Sequence, residues 1–278
     1  MPQRLAYLPL NTYPEAAPDP AILAAAGFAA ALGCGLEVSA FAVDVPPTAS
    51  PIGGYFFNVE SLARSAEERS AAECARLQAL VQEWAAGKLA INVTLRKAML
   101  GAALDAAAAE ARLHDLAVLP WAADTLSAQD MAQALVFGAG VPVILVPQTA
   151  RAASVGHMTI AWDGSRVAAR ALGDALPLLA AGGRVTVVTV TGEKALGTSG
   201  LATALVASLQ RRGYSVEAAS ISLAGRPIAT ALQETALASG ADLLAMGGFG
   251  HSRLRDFILG GATKGVFADL RLPVLLSH

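Results

Sequence analysis

The stretch of this chain richest in chemistry is 247–264, GGFGHSRLRDFILGGATK, which follows a short apolar run and leads into a helical pattern. Gly247 and Gly250 permit positive φ and close approach of backbone to a ligand, and Gly260 with Gly261 would open a helix with unpaired N–H groups. Backbone donors and the helix dipole both favour an anion, so the pattern reads as a phosphate site at the carboxyl ends of strands, where a nucleotide would lie. Asp163, at the end of an earlier apolar run, would lie across the same crevice and accept hydrogen bonds from base or ribose. Glycine pairs also serve as plain turn devices between strand and helix, and that reading stands beside the first.

A hydrolytic enzyme needs a nucleophile, a base and a group that orients the base. Of the four histidines, His114, His157 and His278 are expected at the surface, and His251 falls in the glycine stretch. His251, Ser252 and Asp163 make a poor triad, because Asp163 is expected across the phosphate crevice rather than behind the imidazole. Arg253, Arg255 and Lys264 flank the glycines. Solvated helix-face charges, with one arginine paired to Asp256, explain them better than direct phosphate ligands. The sequence has no Gly-x4-Gly-Lys-Ser/Thr, so a P-loop enzyme is excluded. No carboxylate cluster suggests a Mg²⁺ cage, so a metal would arrive with the phosphates. Cys34 and Cys74 lie far apart without metal-ligand spacing and read as free thiols.

These residues need a scaffold, and the sequence repeats one. In the first half an apolar run at 115–120 precedes a helical pattern at 127–137 and a second run at 141–146. The second half ends in the same order, with runs at 242–247 and 272–277 around a helical pattern within 254–270. Leu8-Pro-Leu-Asn11 heads one half as Ile160-Ala-Trp-Asp163 heads the other. The boundary falls near 148–157, giving units of 1–150 and 151–278. In the second unit, strands expected at 158–162, 184–190, 215–221, 243–246 and 274–276 alternate with helical patterns at 168–181, 201–212 and 228–238. Asp163, Ser165 and Ser199 are available as caps, and Pro177 should kink or shorten the first helix. The first unit inserts a Pro/Gly/aromatic segment at 44–60 before a long helix at 61–86. That segment reads as an ordered loop, its Tyr55, Phe56 and Phe57 packing over a sheet edge or the other unit. The expected fold is α/β, with two tandem doubly wound five-stranded parallel sheets, Rossmann-like, and helices on both faces of each.

Composition removes several other classes. The 278 residues are 54% hydrophobic and 15% charged, which no disordered chain would be. Twenty Lys and Arg against 22 Asp and Glu, a net charge of −2, leave no basic excess for nucleic acid. The mean hydropathy of +0.50 owes much to alanine, and the apolar stretches break well short of the ~20 residues that span a bilayer. The opening residues MPQRLAYLPLNTYPEAAPD reach prolines and acids within a few positions, unlike a secretory leader, so a cytoplasmic protein is expected.

The second half resembles the universal stress protein family. In that family the first strand ends in Asp-Gly-Ser and the fourth runs into Gly-x2-Gly-x9-Gly-Ser/Thr. Asp163-Gly164-Ser165 matches the first element, and Gly247, Gly250 and Gly260 match the second in every spacing. The first half resembles the family weakly, so the chain is similar to a tandem member. The resemblance implies ATP, with Mg²⁺ carried by its phosphates, in the second unit. Asp163 and the strand backbone at Val188 to Val190 would hold adenine and ribose, and the glycine motif would hold the triphosphate. The implied binding set is Asp163, Gly164, Ser165, Val188, Val190, Gly247, Gly250, His251, Gly260, Gly261, Ala262 and Thr263. Gly261 departs from the family's hydroxyl residue, which predicts weakened rather than abolished binding, with Thr263 or Ser252 as substitute donors.

The first half departs further. Pro120, Trp121 and Ala123 stand in its glycine positions, and Asn11-Thr12-Tyr13 replaces Asp163-Gly164-Ser165. Pro120 has no N–H for a donor nest and Trp121 would fill the phosphate space, so this unit is expected to have lost its nucleotide site and to act structurally. The closing runs VPVILVP and LPVLLSH are the natural interface between the units; the chain could then be a monomer that imitates a dimer or a homodimer, with the homodimer slightly favoured. The resulting functional expectation is stress-linked adenine-nucleotide binding in a regulatory role, with at most slow hydrolysis. The alternative is a structural or protein-interaction module of the same fold.

Overall fold

A computed structural model describes residues 3–46, 59–122, 126–191, 200–248 and 261–278. The loop aromatics Tyr55, Phe56 and Phe57 lie outside the described residues. The first half runs β1 (Leu5–Asn11), α1 (Asp19–Ala31), β2 (Gly35–Asp44), α2 (Val59–Ala85), β3 (Ile91–Met99), α3 (Ala103–Ala111), β4 (Leu116–Trp121), α4 (Leu126–Gly138) and β5 (Val143–Pro147). The second repeats it with β6 (Val155–Ala161), α5 (Arg166–Ala175), β7 (Leu179–Thr191), α6 (Leu201–Arg211), β8 (Ser215–Ser222), α7 (Ile228–Ala238), β9 (Leu243–Gly247), α8 (Gly261–Ala268) and β10 (Val274–Ser277).

The strands form one ten-stranded sheet in the order β3-β2-β1-β4-β5-β10-β9-β6-β7-β8. Within each half every pairing is parallel. The halves meet where β5 and β10 pair antiparallel, Val274 opposite Leu145 and Leu276 opposite Val143. The two sheets thus join edge to edge through the closing runs. β4 and β5 are buried along their whole length, as strands covered on both faces must be, and this is why they read as continuous apolar runs.

A pair of aspartates makes the repeat concrete. The Asp115 carboxylate accepts the Leu5 N–H at 2.8 Å, and the Asp242 carboxylate accepts the N–H groups of Gly156 and His157 at 2.9 and 3.0 Å. The Asp115 N–H donates to the Leu5 carbonyl as the Asp242 N–H donates to that of His157. Counting from these anchors makes Asn11 equivalent to Asp163 and Pro120 equivalent to Gly247.

Helices cover both faces. One apolar layer gathers α1, α2, α5 and α6 against the sheet, and the other gathers α3, α4, α7 and α8; each spans both halves. α2 shows how sequence chooses the face: Cys74, Leu77, Val81 and Ala85 recur at helical spacing and are buried against β2 and β3.

Three expectations need correction. The helix expected at 168–181 ends at Ala175, because Pro177 supplies no N–H; a 3-10 turn at Leu176–Leu178 follows, and β7 begins at Leu179 rather than 184. Trp121 does not stand in a phosphate space. Its ring is 3% exposed and packs across the junction on Phe267 of α8, centroids 5.0 Å apart. His157 is not at the surface but 4% exposed beneath α7. Its Nε2 lies 2.8 Å from Thr186 Oγ1, which in turn donates to Glu217 at 2.8 Å. His114 is half-buried and stacks on Tyr7, whereas His278 is exposed, as expected, although it contacts Phe137 edge-on.

Candidate functional site

The strand order of the second half reverses between β6 and β9, and a crevice opens outside the carboxyl ends of strands at such a point. β6 delivers one wall of it. The Trp162 N–H donates to the Val188 carbonyl at 2.8 Å, tying the end of β6 to β7 just before the chain turns. Gly164 adopts φ +76°, and the Asp163 Oδ1 accepts the Ser165 N–H at 2.8 Å, so the Asp-Gly-Ser sequence closes a tight turn around its own carboxylate. The Ser165 hydroxyl accepts the Ala168 N–H at 3.2 Å and caps α5. Asp163 and Gly164 are exposed, and Ser165 is half-buried.

β9 delivers the opposite wall. Gly247 pairs with Ser277, and the Gly248 N–H donates to the Ser277 carbonyl at 2.8 Å. Gly247 does not have positive φ; its constraint is steric. A Cβ there would lie 2.6 Å from Val167 Cγ2 and 2.8 Å from the Ala168 nitrogen, so the end of β9 touches the first turn of α5. The Asp163 turn and the start of the glycine motif therefore share one place in the fold. A Cβ on Gly248 would meet Val136 of α4 at 3.1 Å, across the junction of the halves.

The remaining expected residues divide. Val188 is buried with its carbonyl already engaged, whereas Val190 is half-buried towards the end of β7. Gly261 is exposed, with no atom of the described residues within 4 Å of where a Cβ would lie, Ala262 is half-buried, and Thr263 is 1% exposed. Lys264 is exposed. Gly250, His251 and Gly260 lie outside the described residues, as do Ser252, Arg253, Arg255 and Asp256. Among the described residues no group of three His, Cys, Asp or Glu is placed to hold a metal, and no helix is long and apolar enough to cross a membrane.

The universal stress protein family matches residues 155–278. The C-terminal half belongs to that family. Across the whole chain, solved universal stress proteins show the same fold. One from Archaeoglobus fulgidus DSM 4304 is 16% identical, with 98% of this chain and 97% of that one covered and a TM-score of 0.65. A second, from Pseudomonas aeruginosa UCBPP-PA14, is 15% identical over 99% and 93%, with a TM-score of 0.56. No curated protein matches.

Sequence reasoning missed a second opening. At the equivalent reversal of the N-terminal half, between β1 and β4, lies a pocket of about 400 Å³ including its open mouth, lined by Leu10, Asn11, Glu15, Pro120, Ser127 and Met131 among others. The signal for it was the length of the β1–α1 connection, seven residues (12–18) against four (162–165) between β6 and α5.

Proposed function

We propose that the universal stress protein domain at the C-terminal half binds an adenine nucleotide, ATP with its Mg²⁺, in a stress-linked regulatory role. The observation that carries this reading is the shared position of the Asp163-Gly164-Ser165 turn and Gly247 at the β6/β9 reversal. Asp163, in its own turn, would accept hydrogen bonds from ribose or base, and the β7 backbone near Val190 would line the base end. Phosphates would lie toward Gly247 and the backbone of Gly261, Ala262 and Thr263, where N–H donors can substitute for the missing family hydroxyl. In this reading the protein acts as a binder, with at most slow hydrolysis. A cytoplasmic location and assembly of the chain into a homodimer belong to the same proposal.

One observation favours the structural alternative: Gly247 is already demanded by the contact with α5, whatever it binds. The test is to purify the chain without added nucleotide, denature it and identify what is released. Adenine nucleotide in near-stoichiometric amount supports the binding reading. An empty protein that also shows no stabilisation by millimolar ATP favours the structural one.

A further inference from the structure

The N-terminal pocket occupies the place of the nucleotide crevice but carries different chemistry. Asn11 stands where Asp163 stands, and Pro120 stands where Gly247 stands. The longer connection after β1 puts Glu15 in the same pocket lining as the strand-end residues Asn11 and Pro120 and as Ser127 in the first turn of α4. Among the described residues of the lining, Glu15 is the charged group, and no lysine or arginine contributes. Its carboxylate is exposed and makes no ion pair or hydrogen bond among the described residues. The Asn11 amide donates to the Tyr13 carbonyl at 2.6 Å, which leaves its Oδ1 as the acceptor on that side chain.

A phosphate is disfavoured here on three counts. Glu15 repels it, Pro120 has no N–H to offer it, and no cation among the described lining residues offsets its charge. The half-charge at the start of α4 cancels only part of the full charge on Glu15, so the pocket stays negative. Apart from Asn11 and Ser127 its described lining is otherwise apolar, Leu10, Pro120 and Met131 included.

We propose that this pocket binds a small amine with an apolar body. The ammonium pairs with Glu15 and donates to Asn11 Oδ1 and Ser127 Oγ, and the body rests on Leu10, Pro120 and Met131. This does not depend on nucleotide binding at β6/β9.

Phenethylamine and 3-phenylpropionate carry the same ring with opposite charge, and each can be titrated into the ¹⁵N-labelled full chain while amide shifts are followed. Saturable shifts with the amine, centred on residues 9–17 and 127–131, are expected, with the carboxylate at least about tenfold weaker. Glu15→Gln should weaken the amine about tenfold and narrow the gap between the probes, leaving the rest of the spectrum unchanged. Ala128→Leu, which fills the pocket, should abolish binding of the amine. Equal affinity for the two probes, an unaltered Glu15→Gln variant, shifts centred elsewhere, or no saturable shift at millimolar amine would each overturn the proposal. ATP titrated into the same sample reports on the other crevice, and its success or failure leaves this result intact.

Discussion

At Gly247 a packing demand and a binding motif coincide in one residue. A methyl group there would sit 2.6 Å from Val167 Cγ2 and 2.8 Å from backbone atoms of α5. Gly247→Ala should therefore force β9 and α5 apart and destabilise the protein by about 1–3 kcal/mol, read as a lower urea midpoint with unchanged slope. His157 supplies a pH dependence. Burial, and then the nearby Arg184 charge, hold its pKa below the ordinary histidine value of 6.5, outweighing Glu217 and the carbonyls of Ser239 and Gly240. As pH falls through 6.5, the unfolded chain takes up the proton before the folded one does. Stability is full above that pH and declines below it. Urea midpoints should fall between about pH 7.5 and about pH 5.5, and His157→Gln should flatten the slope. An unchanged slope in that variant would assign the effect elsewhere. Neither role was legible in the sequence: a histidine opening a strand looks exposed until α7 covers it, and a glycine in a phosphate motif hides its steric duty.

Among the elements, α5 positions most of the site. Its cap comes from Ser165, and its first turn touches Gly247. Ser165→Ala should cost about 0.5–2 kcal/mol of stability. The Asp163 turn is closed by the Ser165 backbone N–H, which the variant keeps, so the loss should appear in stability rather than in any affinity for ATP; calorimetry on the variant checks this. Element positions were largely legible, since strands buried on both faces announce themselves as apolar runs and α7 spans the predicted residues. What local pattern could not show was β7, whose extension back to Leu179 depends on pairing with Val155 across a register shift. The turn at Asp163 was legible because Asp-Gly-Ser carries its own geometry. The N-terminal pocket was not, because it depends on how a seven-residue connection lies over two strands.

The whole molecule is a single sheet whose two halves share both apolar layers. Trp121 of β4 against Phe267 of α8 closes one layer at the junction. Trp121→Ala should destabilise the chain by about 3–5 kcal/mol, and the loss should be seen in amide-exchange protection of both halves rather than in the first alone. Protection lost only in residues 1–150 would show that the halves unfold separately.

The central claim concerns one crevice of this sheet, and calorimetric titration of ATP with Mg²⁺ into the wild-type chain and Asp163→Ala tests it most directly. Micromolar binding, roughly −8 kcal/mol, that drops about tenfold or more in Asp163→Ala is the predicted result. No heat at millimolar ATP, or equal affinity in both proteins, would contradict it.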